Sequence, residues 1–136
     1  MAHLVTSIAH IGIRVHDLTR AEAFYALLGF EHVMGPVGPE PVAIISHPAG
    51  IEINLVLNAP AADTPNVLMD VPVKKPGITH FALRVTDLEA VQALLEGAGV
   101  TVTEGPINFP NGGRAFFVRD PDGNVVELNW APKAAS

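Results

Sequence analysis

His10-Ile11-Gly12-Ile13-Arg14-Val15-His16-Asp17-Leu18 decides the reading of this chain, because it is written a second time as His80-Phe81-Ala82-Leu83-Arg84-Val85-Thr86-Asp87-Leu88. A displacement of 70 residues relates His10 to His80, Arg14 to Arg84, Asp17 to Asp87 and Gly29 to Gly99. Self-similarity at a fixed displacement is the mark of one structural unit built twice. Side chains alternate across a strand, so each copy puts His, a small residue and Arg on one face and three apolar residues on the other. The apolar face belongs on a core. The His/Arg face suits the wall of a cavity.

Outward from the first copy, Ser7–Val15 reads as a strand, and Thr19 and Glu22 have the spacing of a capping box that starts a helix. The helix stripe is Ala23, Phe24, Leu27 and Leu28, with Gly29 at the C-terminal cap. Phe30–Met34, Val42–Ser46 and Ile51–Leu57 read as strands, the last two parted by the turn His47-Pro48-Ala49-Gly50. In the second copy Ile78–Val85 is a strand and Asp87 caps a helix with Val91, Leu94, Leu95 and Ala98 as its stripe, ending at Gly97 or Gly99. Val100–Thr103, Ala115–Arg119 and Val125–Trp130 follow as strands, with a strong turn signal at Asp120-Pro121-Asp122-Gly123-Asn124. The expected fold is α+β: one domain over residues 1–136, made of two βαβββ modules at about 5–58 and about 77–131. A proline-rich linker joins them at about 59–76, with a short element around Val67-Leu68-Met69, and Lys133–Ser136 reads as a frayed tail.

Composition narrows the function. Of 136 residues, 49% are apolar, which is ample for a buried core. The formal net charge of −6, without any Lys/Arg stripe, argues against a nucleic-acid partner. With no cysteine there are no disulfides and no thiol nucleophile. No apolar run reaches the roughly 18 residues that span a membrane, and the N-terminus shows no signal-peptide pattern, so a cytoplasmic protein without a membrane partner is expected.

Each copy ends on a glutamate within an apolar run, Ile51-Glu52-Ile53 and Val126-Glu127-Leu128. An inward carboxylate is costly unless it is paired or bound to a metal. If the modules pair, His10, Glu52, His80 and Glu127 give four candidate ligands for one divalent ion per site. This mixed nitrogen and oxygen set suits Zn, Ni, Mn, Fe or Co. Arg14 and Arg84 share the histidine face and are candidates for anion binding; Asn54 shares the face of Glu52. Turn and loop segments elsewhere carry no comparable constellation.

The chain resembles the vicinal oxygen chelate superfamily, which includes glyoxalase I, fosfomycin-resistance transferases, extradiol dioxygenases and bleomycin-resistance proteins. The resemblance rests on the two histidine motifs, on Phe24-Tyr25-x-x-Leu28-Gly29-Phe30 and on Phe117-Val118-x-Asp120-Pro121-x-Gly123-Asn124-x-x-Glu127-Leu128. It implies two βαβββ modules curled into a half-barrel around one metal, and a homodimer. Glyoxalase I keeps a ligand in all four places, which here hold His10, Glu52, His80 and Glu127. It also implies a glutathione-holding role for Arg14, although the basic residues expected to grip a glycyl carboxylate are represented only by Lys74, Lys75 and Arg114. Extradiol dioxygenases use two histidines and one glutamate, which would match His10, His80 and Glu127.

The leading expectation is a glyoxalase-like lyase or isomerase. Its partner is a small molecule with vicinal oxygens, a glutathione adduct among the candidates. An enediolate-type intermediate forms, and Glu127 or Glu52 moves the proton. The alternatives are an extradiol-type dioxygenase, a fosfomycin-type thiol transferase, and a metal-free protein that binds a drug-like molecule.

Overall fold

The computed structural model describes residues 3–61 and 64–133. Residues 134–136 of the expected tail lie outside them. The chain divides into two compact units, Met1–Ala62 and Asp63–Ser136.

In the first unit β1 (Ile11–Arg14), α1 (Leu18–Leu27), β2 (Glu31–Val37), β3 (Val42–His47) and β4 (Ile51–Val56) form one sheet in the order β1-β4-β3-β2 with one helix. In the second, β5 (His80–Arg84), α2 (Leu88–Gly97), β6 (Val102–Asn108), β7 (Arg114–Arg119) and β8 (Val125–Trp130) repeat the plan in the order β5-β8-β7-β6. The first and last strands of each unit pair in parallel and all other pairs are antiparallel. The α+β architecture of two βαβββ units is therefore the one the repeat implied. Among the described residues no helix is long and apolar enough to cross a membrane.

The helix starts come from the repeat itself. Asp17 and Asp87 are the N-caps, accepting hydrogen bonds from the Arg20 and Ala90 amides at 2.8 and 3.0 Å. This corrects the expected Thr19–Glu22 box: Thr19 lies inside the first turn, because a carboxylate two residues earlier already satisfies the free amide. At the other end Gly29 and Gly99 take φ of +97° and +86°. The Phe30 and Val100 amides then reach back to the Tyr25 and Leu95 carbonyls, the bond pattern of a Schellman cap. Gly97 is simply the last helical residue of α2.

Both helix stripes shift from expectation. In α1 the buried residues are Ala21, Phe24 and Tyr25 rather than Ala23 and Leu27. In α2 they are Leu88 and Leu95, while Leu94 is 50% exposed. The core of the first unit joins α1 to the inward residues Ala43, Ile45, Ile53 and Leu55, and that of the second joins Leu88 and Leu95 to Phe116, Val118, Val126 and Leu128.

β1 and β5 are shorter than expected because their parallel partners run out. β4 begins only at Ile51 and β8 only at Val125, directly after turns, so Ile8 and Ile78 have no strand beside them and stay 82% and 87% exposed. β2 and β6 are longer than expected. Gly35-Pro36 and Gly105-Pro106 each sit in an edge strand at a shift in pairing register, where a proline without an N–H is tolerated.

The linker is built rather than loose. Asn66 Oδ1 accepts from the Leu68 and Met69 amides and its Nδ2 donates to the Gly123 carbonyl, while Arg119 grips Asp70 with two nitrogens at 2.8 and 3.0 Å. The short element near Val67 is a turn clipped to the β7–β8 loop.

Gly105 has φ +96°, and a Cβ there would stand 2.8 Å from the Ala115 carbonyl oxygen. Gly105→Ala should cost about 1–3 kcal/mol in urea unfolding. Gly97→Ala, in helical backbone with open space around it, should be neutral or stabilise by up to about 1 kcal/mol.

Candidate functional site

In unit 2, parallel pairing puts Ala82 level with Glu127 and Arg84 level with Asn129, so His80, Ala82, Arg84, Glu127 and Asn129 share one sheet face. His80 Nε2 lies 3.1 Å from Glu127 Oε1, and Asn129 Nδ2 donates to Glu127 Oε2 at 2.7 Å. Glu127 is only 8% exposed, and these two contacts hold both of its oxygens. Thr79 Oγ1 lies 2.9 Å from His80 Nδ1. A hydroxyl both donates and accepts, so Thr79 serves the ring whether Nδ1 or Nε2 carries the proton. Phe117 packs edge-on to the imidazole at 5.4 Å between ring centres. Arg84 is exposed and, among the described residues, makes no hydrogen bond or ion pair.

In unit 1, His10, Gly12 and Arg14 face the same way as Glu52, Asn54 and Val56. His10 Nδ1 is 3.8 Å from Glu52 Oε2, beyond hydrogen-bond reach, and both side chains are roughly half exposed. Arg14 is engaged: Nη2 lies 3.1 Å from Glu40 Oε1 and Nε donates to Asn58 Oδ1 at 2.7 Å. Asn58 Nδ2 also donates to Glu40, closing a three-residue network. The Asn54 Oδ1 atom is buried and has no hydrogen-bond partner among the described residues.

The ladders correct one expectation. The two units keep a displacement of 70 residues through their second strands, then 73 in the last two. Met34 pairs with Ile44 where Glu104 pairs with Phe117, and Ile45 pairs with Ile53 where Val118 pairs with Val126. The three extra residues fall in the β6–β7 hairpin. Glu127 therefore corresponds in register to Asn54, and Glu52 to Val125. The two glutamates are not repeat-equivalent, although both histidines are.

The donor set tests well against a metal in unit 2. Ligand atoms each about 2.1 Å from one ion and at right angles lie about 3 Å apart, and His80 Nε2 and Glu127 Oε1 are separated by 3.1 Å. His10 and Glu52 are farther apart. Among the described residues no group of three or more His, Cys, Asp or Glu is gathered for one ion. Each unit thus presents its own His/Glu pair.

Three residues escaped sequence reading. Asn129 and Thr79 orient the pair, and Glu40 occupies Arg14. Only Asn129 left a signal, as the second residue along the strand from a buried glutamate. Of the basic residues named as carboxylate grips, Arg114 is ion-paired with Glu89 and Lys74 donates to the Met69 and Val71 carbonyls.

The model of the glyoxalase/bleomycin resistance protein/dioxygenase superfamily matches residues 7–128, and the chain belongs to that superfamily. A glyoxalase domain-containing protein of Mycosarcoma maydis, RDO1, is 30% identical over 129 residues, covering 92% of this chain and 68% of that protein. The crystal structure of TnmS3, an antibiotic binding protein from Streptomyces sp. CB03234, is 27% identical with a TM-score of 0.71, covering 96% of this chain and all of that one. A glyoxylase/bleomycin resistance protein/dioxygenase domain from Frankia sp. EAN1pec shares the fold with a TM-score of 0.79 at 22% identity, over 96% of both chains.

Hydrogen bonding from Asn58, and after it from Arg14, holds the Glu40 carboxyl below its ordinary value. A carboxylate whose folded pKa is depressed adds stability above its unfolded pKa and loses it as pH falls through the folded one. Glu40→Gln should therefore be less stable than the parent at neutral pH, and the difference should shrink progressively as pH falls below the ordinary glutamate value of about 4.3 when urea unfolding is followed across pH.

Proposed function

We propose that this chain is a divalent-metal-dependent enzyme of glyoxalase-like type, a lyase or isomerase acting on a small molecule with two neighbouring oxygens. The observation that carries this reading is the His80–Glu127 pair, set at ligand spacing on a strand pair whose histidine recurs as His10 in the other unit. His80 and Glu127 are the proposed ligands of the second unit, and His10 and Glu52 are the corresponding candidates of the first. When bound, the ion supplies a Lewis acid for the substrate oxygens and acidifies the C–H beside them.

The chain's own residues divide the remaining work. Glu127 is fixed by His80 and Asn129, so it holds. Glu52 is half exposed and only loosely beside His10, so its carboxylate is free to take a proton from one carbon and return it to the next. Arg84 is the cation open to an anionic substrate group, whereas Arg14 is already engaged with Glu40. A cytoplasmic homodimer is the proposed working form, and a glutathione adduct is a candidate substrate.

A second reading has its own support. The 27% likeness to TnmS3, an antibiotic binding protein, and a Glu127 satisfied without any ion both favour metal-free capture of a small molecule.

Elemental analysis after reconstitution with Ni, Zn, Mn and Fe(II) tests the proposal. About one ion per site is expected, with affinity lowered about 10–100-fold in His80→Ala. Glu52→Gln should keep its metal and lose at least about 100-fold in exchange of the substrate C–H with solvent deuterium. Oxygen uptake by the Fe(II) form would indicate the dioxygenase chemistry instead, and no binding of any ion would leave the capture reading standing.

A further inference from the structure

The loop between β6 and β7 holds an asparagine unlike the others. Of the seven asparagines, Asn111 alone is followed by glycine. The other six precede Leu55, Ala59, Val67, Phe109, Val125 and Trp130, each with a Cβ that hinders approach to its own amide nitrogen. The turn also arranges Asn111 against the Gly112 amide. The Gly113 N–H donates to Asn111 Oδ1 at 2.9 Å, an Asx-turn that closes the side chain over the intervening peptide. That N–H sits on the oxygen where negative charge grows if the side-chain carbonyl carbon is attacked, as an oxyanion-hole donor does. Asn111 and Gly112 are both exposed. Gly112 has φ +86°, and a Cβ there would meet only Pro132 at 3.5 Å, so little covers the peptide. One restraint opposes reaction: the Gly112 N–H donates to the Phe109 carbonyl at 3.0 Å. A bond in an exposed turn opens at little cost.

We propose that Asn111 is a self-modifying residue, converted in the folded protein to aspartate and isoaspartate without an enzyme. The Gly112 nitrogen gives its proton to hydroxide and attacks Asn111 Cγ, forming a C–N bond. The side-chain nitrogen takes a proton from water and leaves as ammonia, which closes a five-membered succinimide. Water then adds to either ring carbonyl and breaks its bond to the Gly112 nitrogen. One opening leaves aspartate; the other leaves isoaspartate, with the main chain running through the former side chain. One water is gained, one ammonia is lost, and nothing is oxidised or reduced. The product carries one new negative charge at neutral pH. The change falls three residues before Arg114, whose guanidinium pairs with Glu89 beside a cavity of about 350 Å³ also lined by Leu88 and Trp130. Isoaspartate also lengthens the backbone by one methylene within the turn closed by the Phe109–Gly113 bond. The modification therefore adds charge and slack at the hairpin end that presents Arg114.

The test is timed incubation of the purified full-length chain at neutral and mildly alkaline pH, followed by peptide mapping with mass spectrometry. Enzymatic methylation of isoaspartate reports the rearranged product, and circular dichroism shows that the chain stays folded. A mass rise of about 1 Da is expected in the peptide that holds Asn111, with isoaspartate detected there. The rate should climb about tenfold per pH unit, as the fraction of deprotonated nitrogen does. Asn111→Gln, which would need a six-membered ring, should stay unmodified over the same period. Conversion of Asn111 in the urea-unfolded chain but not in the folded one would overturn the proposal, because the Gly112–Phe109 bond would then protect the site. Faster conversion at any other asparagine, or none in either state, would overturn it as well.

Discussion

The parallel pairing of the first strand with the last, β1 with β4 and β5 with β8, is the constraint on which each unit depends. Parallel neighbours cannot be joined by a tight turn. The chain must leave the first strand, run through a helix and two antiparallel strands, and return beside its start. That route turns one face of the sheet toward the helix, where Ile53, Leu55, Val126 and Leu128 are buried. The other face is left to His10, His80, Glu127 and Asn54. Because β4 and β8 each begin directly after a turn, the ladder has a fixed lower end, and the histidines sit at that end.

The cost of Glu127 shows how the second unit is organised. A buried carboxylate is unfavourable unless its oxygens are bonded. Here Asn129 takes one and His80 meets the other. Both partners lie on the same face by strand parity, so no loop is needed to satisfy the charge. The first unit has no equivalent: the amide of Asn54 replaces the carboxylate, and Glu52 stays where solvent can reach it. The same architecture therefore supports one hydrogen-bonded His/Glu pair and one wider, more exposed pair.

Much of this was legible in the residues. The duplicated histidine motif fixed the number of units, their strand–helix order and the orientation of the His/Arg face. Asp17 and Asp87 were paired by the repeat, and reading Asp17 as Asp87 was read would have placed the first helix correctly. Two things were hidden for physical reasons. Gly-Pro in an edge strand gives the same signal as a chain break, since both remove a ladder N–H. The second is the insertion in the β6–β7 hairpin. It falls in a turn, and Glu52 and Glu127 differ by two positions in strand register, so they keep the same face and look equivalent until the pairing is known. Glu40 beside Arg14 carries no sequence signal, because the contact joins a loop to a strand.

The central proposal is that the His80–Glu127 pair of the second unit ligates a divalent ion. X-ray absorption of the Co(II)-loaded chain detects imidazole ligands directly. The account predicts an imidazole contribution in the parent that falls in His80→Ala. An unchanged contribution in His80→Ala, or no imidazole at the cobalt in the parent, would contradict it.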